Sequence, residues 1–360
     1  MIRLFIYILT VFFVFWVGEN TANAQKNYDA PTLTDSNSWS MILLPDPQNY
    51  HRFERNKSIF DLMMDWIDEN TDRLHIKLVL CMGDLIINND VDHPDSTLTN
   101  LTSRQQWEAV ASSFGKLDGK IPYITALGNH DYGSTVIDNR RNSQFDHYFP
   151  LNKNRKTQKM VKETSLNVHG KPSMENSAFE FVSPQGRKFL ILCLEFAPRD
   201  KTIAWANKVI KKAAYNDYTV ILLTHSYLKS SGERILKENY DLRDANYGEN
   251  LFQKLIKPST NIQMVFCGHN TGLDFRSNVG FRVDSNAANK PVYQMMFNAQ
   301  ALGGGNRGNG GDGWLRILEF MPDKRTVKVK TFSPFFAISP STQALAWRRE
   351  PYDEFSFQLN

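Results

Sequence analysis

The chain has 360 residues, 41% of them hydrophobic and 12% aromatic, enough for a substantial core and too apolar for a largely disordered protein. Its formal charge of +4 is small for that length, and no run of consecutive lysines and arginines is present to track a nucleic-acid backbone, so no nucleic-acid-binding surface is expected. Cys81, Cys193 and Cys267 each lie inside an apolar run with no Cys or His at ligand spacing, which reads as three buried thiols and implies neither a disulfide framework nor a thiolate metal site.

Arg3 precedes an apolar stretch, Leu4 to Val17, that is shorter than the ~20 residues a spanning helix needs. Ala22-Asn23-Ala24 then forms the small-x-small pattern of a signal-peptidase site. Residues 1–24 are therefore read as a signal peptide, 25–38 as an N-terminal extension and 39–360 as the main domain. Export to a periplasm or the exterior follows, with an uncleaved anchor as the alternative.

The elements then alternate as an α/β protein requires. A strand at Met41–Leu44 precedes a helical pattern carried by Ile59, Leu62, Met63, Trp66 and Ile67. A strand ending at Asp84 precedes a second helix through Trp107, Val110, Ala111 and Phe114, and Pro122 opens the next strand. Residues 132–175 are polar, irregular and too long for a plain connection, and are read as a substrate-facing insertion. A hairpin follows at Phe179–Val182 and Lys188–Leu194, then a helix marked by Trp205, Val209, Ile210 and Ala213. Beyond Asn270 the runs Phe281–Val283, Val292–Phe297, Leu315–Phe320 and Val327–Thr331 predict a mainly antiparallel set closing a second sheet, with Phe355–Phe357 as a last strand. The expected fold is an α/β two-sheet sandwich flanked by helices.

Five short polar stretches carry the chemistry: Asp46-Pro47-Gln48, Gly83-Asp84, Gly128-Asn129-His130-Asp131, Thr224-His225 and Gly268-His269-Asn270. Each stands at the end of an apolar, strand-like run, and ligands of open α/β sheets bind outside the carboxyl ends of the strands, so the five termini can converge on one crevice.

In order and placement the five stretches resemble the calcineurin-like metallophosphoesterase family, whose usual motifs run Asp-x-His, Gly-Asp, Gly-Asn-His-Asp/Glu, His and Gly-His-x-His. The resemblance implies an αββα metallo-dependent phosphatase-like sandwich and two divalent metal ions, drawn from Mn, Mg, Zn, Fe or Ca. It implies that one metal takes Asp84, Asn129, His225 and His269, and the other Asp46, Gln48, Asp84 and Asn270. Asp84 is the natural bridge, since one carboxylate offers two oxygens and offsets charge on both cations. Two such ions roughly 3.5–4 Å apart supply a hydroxide nucleophile and neutralise the phosphoryl oxygens.

Two positions depart from the family pattern, and both fall on the first metal. Gln48 and Asn270 stand where imidazoles are usual, which turns a mixed N/O shell into an all-oxygen one suited to harder ions. A weak or empty first site in a mononuclear enzyme is the alternative. His130 has the position of the family's non-ligand histidine, which protonates the leaving-group oxygen or stabilises phosphoryl charge, and Asp131 is expected to orient its ring. Candidate substrate residues are Arg199, which otherwise reads as an exposed helix-start arginine with Asp200 as cap, Asn298, Gln300 and Arg307, the last in a glycine-rich loop at 303–313 that reads as a flexible hairpin or a lid. His51, His75, His93, His147 and His169 lack the strand-end context of His130 and read as surface or core residues, with reach to a substrate as the alternative for His51, which follows the Asp46–Gln48 loop.

The expected activity is exported, metal-dependent hydrolysis of a small-molecule or lipid phosphoester, monoester or diester, by attack of a metal-bound hydroxide. The alternatives are a strict phosphodiesterase acting on lipid headgroups or nucleotides, and a non-catalytic binding module on the same fold.

Overall fold

The computed structural model describes residues 28–95 and 97–360. The signal peptide read at 1–24 lies outside them.

Two seven-stranded mixed sheets form the frame. The first contains β1 (Trp39–Leu44), β2 (Ile76–Cys81) and β3 (Tyr123–Thr125) in parallel. The second is built on β6 (Lys188–Cys193), β7 (Thr219–Leu223) and β8 (Ile262–Cys267), also parallel, with β4 (Val161–Leu166) and β5 (Pro172–Val182) running antiparallel on one side. Helices α1 (Lys57–Glu69) and α2 (Ser103–Gly115) serve the first sheet, and α3 (Asp200–Ile210) serves the second.

The period-two alternation of a strand assigns each side chain to a layer. In β6, Phe189, Ile191 and Cys193 join the core shared with the first sheet, while Leu190 and Leu192 join the outer core with Ile203, Val209 and Ile210 of α3. Ile221 and Leu223 of β7 face inward in the same way, with Val220 and Leu222 outward. At the amino ends of the strands the two sheets are locked by rings: Trp39 stacks on Phe320 at 4.2 Å and meets Phe181 of the other sheet at 5.1 Å. Helix α2 starts at a capping box in which Thr102 accepts from the Gln105 amide at 3.2 Å and Gln105 accepts in return at 2.8 Å.

Two expectations need correction. The strands beyond Asn270 do not all close the second sheet. β9 (Val279–Ser285) and β10 (Pro291–Phe297) do, but β10 runs parallel to β8. β11 (Leu315–Phe320), β12 (Thr326–Phe332), β13 (Trp347–Arg348) and β14 (Phe355–Gln358) join the first sheet, with β11 antiparallel to β1. The physical reason lies in β11, buried on both faces, which fits the middle of a sheet between β1 and β12. The stretch 132–175 is likewise not wholly irregular: it holds the short helices Phe145–Tyr148 and Arg155–Met160, edge strand β4 and the start of β5.

The parallel strands of both sheets end on one side of the sandwich. Asp46 follows β1, Asp84 follows β2, Asn129 follows β3, His225 follows β7, His269 follows β8 and Asn298 follows β10.

Candidate metal centre

Asp84, His225 and His269 each place one ligand atom within 4.8 Å of the others. Asp84 Oδ2 lies 3.2 Å from His225 Nε2, which faces His269 Nδ1 at 3.2 Å. The remaining ring nitrogens fix which tautomer each imidazole adopts. His225 Nδ1–H donates to the Met82 carbonyl at 2.7 Å, and His269 Nε2–H donates to the Glu238 carboxylate at 2.9 Å. The lone pairs of His225 Nε2 and His269 Nδ1 are thereby left for a shared cation beside Asp84, with the outer hydrogen bonds holding both rings in place.

Neighbouring oxygens complete the set. Asp46 Oδ1, Gln48 Oε1 and Asn129 Oδ1 are buried acceptors with no hydrogen-bond partner among the described residues. A buried acceptor left unpaired costs about 1–3 kcal/mol, so several in the loops at these strand ends point to a charged occupant. The donor set of carboxylates, amide oxygens and imidazoles fits divalent cations. Asn270 follows His269, half-buried, at the end of β8.

The backbone is shaped to bring these groups close. Asp84 and His269 adopt left-handed φ of 51° and 68°, a strained region for side-chain-bearing residues. Gly83 has φ of 101°, and a Cβ there would stand 2.7 Å from His225 Nδ1. A Cβ on Gly268 would stand 1.9 Å from Asp46 Oδ1. The His269 amide donates to Asp46 Oδ2 at 2.9 Å, and the His130 amide to Asp84 Oδ1 at 2.9 Å.

The charges in this buried cluster act on one another. Burial pushes the Asp46 carboxyl well above the usual carboxylate range, with His225 opposing the shift and Asp84 adding to it. Burial also opposes ionisation of Asp84, but the imidazoles of His225, His130 and His269 outweigh it and hold that carboxyl well below its ordinary value. Burial alone would lower His225, yet Asp84 and Asp46 push it up to about 10. A cluster in which protons and carboxylates compete this way is one that a cation can occupy in their place.

His130 stands beside the cluster on the wall of a cavity of about 440 Å³. Its Nδ1–H is shared by the carbonyls of Ile87 at 2.9 Å and Thr135 at 3.0 Å, leaving Nε2 for a substrate. The orienting role expected of Asp131 is therefore filled by these carbonyls. The Asp131 carboxylate is fully buried and accepts from the amides of Leu85, Ile86 and Gly128 instead, tying the Asp84 loop to the Asn129 loop. Three backbone donors satisfy it better than one ring nitrogen would.

The candidate substrate residues separate. Gln300 lines the cavity, with a buried, unpartnered Oε1. Asn298 is fully buried and donates to Asp46 Oδ2 at 2.6 Å, so it positions a carboxylate and has no free face for substrate. Arg199 is no substrate fork: its guanidinium pairs with buried Glu195 at 2.8 Å at the start of α3. Arg307 is exposed and donates to the Thr97 carbonyl at 3.1 Å. The glycine-rich loop around it is fastened, with Asn56 donating to Gly308 at 2.8 Å and the Gly313 amide donating to the Tyr50 hydroxyl at 2.9 Å. His51 is fully buried, with Nδ1 bonded to the Leu85 carbonyl at 3.1 Å, and burial pushes its imidazole down to about 3; it braces the loop and does not reach substrate.

Two residues escaped the sequence reading. Glu238, in an irregular segment with no periodic pattern, orients His269 and also accepts from Ser226 at 2.9 Å. Arg52, four residues past Gln48, lines the cavity. For Arg52 the signal was proximity in sequence to the Asp46–Gln48 motif, and Glu238 gave none.

A family model described as calcineurin-like phosphoesterase matches residues 42–270. The uncharacterized protein YvnB of Bacillus subtilis (strain 168) is 29% identical over 324 residues, which is 89% of this chain and 22% of that protein, so the chain spans about a fifth of the length of that relative. The crystal structure of a dimetal phosphatase from Danio rerio has the same fold at 10% identity, with a TM-score of 0.52 over 89% of this chain and 99% of that one.

Proposed function

The chain belongs to the calcineurin-like phosphoesterase family, a metal-dependent hydrolase of phosphoric esters, and from that premise we propose which residues carry the reaction. The observation that carries the reading is the convergence of Asp84 Oδ2, His225 Nε2 and His269 Nδ1, with Asp46 Oδ1 3.9 Å from the His225 ring and the buried, unpaired oxygens of Gln48 and Asn129 in loops that follow β1 and β3. Asp84, Asn129, His225 and His269 would hold one divalent ion, and Asp46, Gln48, Asp84 and Asn270 would hold a second through oxygen donors alone. When bound, such ions lower the pKa of water and neutralise phosphoryl oxygens.

The chain's own residues supply the rest. His130, fixed through Nδ1 by two carbonyls, presents Nε2 to the leaving-group oxygen and gives it a proton as the ester bond breaks. Asp131, Asn298 and Glu238 hold the loops and ligands that surround it. The substrate is a small phosphomonoester or phosphodiester, and the protein is exported. Export rests on the leader at 1–24; among the described residues no helix is long and apolar enough to cross a membrane.

Hydrolysis of nitrophenyl phosphate and its bis-nitrophenyl diester, after reconstitution with Mn²⁺, Mg²⁺, Zn²⁺, Fe²⁺ or Ca²⁺, tests this reading and separates monoester from diester preference. Activity should vanish in Asp84→Asn together with tight metal retention, while circular dichroism stays that of the wild type. Full turnover in the folded variant, or turnover that chelators leave untouched, would refute the assignment.

A further inference from the structure

The cavity beside His130 has a wall whose composition selects among leaving groups. Amide side chains are five of its eleven lining residues: Gln48, Asn49, Asn88, Gln300 and Asn306. An amide both donates and accepts, which matches hydroxyl groups better than it matches a hydrocarbon or a purely anionic surface. Gln300 is 8% exposed, and its Oε1 has no partner among the described residues, so one buried acceptor waits on this wall outside the proposed metal shells. Among the described residues the lining holds no ring apart from His130, and so no platform on which a nucleobase could stack. Ile87, Leu98 and Val136 add aliphatic surface of the kind that packs against the C–H face of a sugar.

Arg52 adds a charge. It is 7% exposed, held by donation from Nε to the Leu98 carbonyl and from one terminal nitrogen to Asn49 Oδ1 at 3.4 Å. Neither partner is a carboxylate. What acts on its guanidinium is its own burial, followed by the like charge of Arg307, both of which favour the neutral form. A buried cation without an anion is costly, and the guanidinium fork fits a carboxylate or a phosphate.

We propose that this cavity receives a polyhydroxylated leaving group bearing a second acidic group, with Arg52 pairing the acid and Gln300 accepting from a hydroxyl. The proposal rests on the phosphoesterase reading above and narrows its substrate class. The acid is a carboxylate or a second phosphate; the chemistry at Arg52 is the same for both.

The test compares kcat/KM of the metal-reconstituted protein on nitrophenyl phosphate, a hexose 6-phosphate, the corresponding aldonic acid 6-phosphate and a hexose bisphosphate. The wild type should prefer both doubly acidic sugars over the hexose 6-phosphate. Arg52→Ala should lower the ratio of acidic sugar to hexose 6-phosphate by roughly tenfold or more, and Arg52→Lys, which keeps the charge and loses the fork, should recover part of it. Gln300→Ala should lower both sugar classes relative to nitrophenyl phosphate. Absence of the wild-type preference, or an equal loss on all four esters in Arg52→Ala, would overturn the proposal, the latter by placing Arg52 on the scissile phosphoryl group. So would a lysophosphatidate cleaved faster than every sugar ester. Turnover of nitrophenyl phosphate without sugar discrimination refutes this inference alone, whereas no turnover of any ester by the loaded protein refutes the phosphoesterase assignment beneath it.

Discussion

His130 Nδ1 is committed to two carbonyls, so the ring has one nitrogen left for chemistry. His130→Ala should cut turnover by roughly 10²–10⁴-fold and leave bound metal nearly unchanged, with the smaller loss on nitrophenyl esters, whose leaving groups need less protonation. Equal losses on nitrophenyl and alkyl phosphates would assign the ring to phosphoryl charge stabilisation instead. Glu238 acts one bond further out. Burial opposes its ionisation, but His269 and Ser226 hold its carboxyl below the ordinary value, consistent with a charged partner for the imidazole. Glu238→Ala should weaken metal binding by about 10–100-fold in a direct titration, and Glu238→Gln, which still accepts from Nε2–H, should restore most of it. A Gln variant as weak as the Ala variant would mean that charge, and not orientation, is what Glu238 provides. Glu175 gives the pH dependence. Burial, with Glu195 and Asp146 adding to it, raises this carboxyl to about 8 from 4.5. Stability from a group raised in this way is fully present below its unfolded value and is lost as pH rises through the folded one. Glu175→Gln should therefore flatten the fall in melting temperature between about pH 5 and about pH 8.5. A variant that follows the wild-type curve across that range would show Glu175 ionised in the folded chain.

At the scale of the element, the strand ends do the assembling, and the glycines in them are there for space. Gly268→Ala puts a methyl where Asp46 Oδ1 now stands, so it should displace that carboxylate, lower metal stoichiometry and reduce activity while β8 itself still forms. A folded variant with wild-type metal content would show that Asp46 is not a ligand. The strand ends are also what made the site readable in sequence. An apolar run that stops at Asp, Asn or His signals a sheet terminus carrying chemistry, and the structure brings Asp46, Asp84, Asn129, His225 and His269 to one side of the sandwich. Other features left no such trace. Leu315–Phe320 reads as a strand, but its pattern does not say which sheet will accept it. Arg199 looks like an exposed helix-start arginine until Glu195 is seen beneath it, and Asp131 adjoins His130 in sequence while its carboxylate turns to three amides. Periodicity reports which face is buried; it is silent on which partner a buried polar group finds.

Across the whole molecule the candidate centre straddles both sheets. Asp46, Asp84 and Asn129 come from the carboxyl ends of the first, His225 and His269 from those of the second. The opposite ends are joined by packing of Trp39 with Phe181 and Phe189. At the site end the shared core gives way to carboxylates, imidazoles and unpartnered oxygens, so a cation bound there ties one sheet to the other where apolar contact cannot. Anything that binds the folded state alone stabilises it, by about 2.7 kcal/mol when present at 100 times its dissociation constant. Removing metal with a chelator should thus lower the melting temperature by several degrees, and re-addition should restore it. Asp84→Asn should melt near the chelated wild type and respond little to metal. If the stripped and loaded proteins melt together while metal binding is still detected by titration, the ions are held equally by the unfolded chain and the two sheets meet at this end without their help.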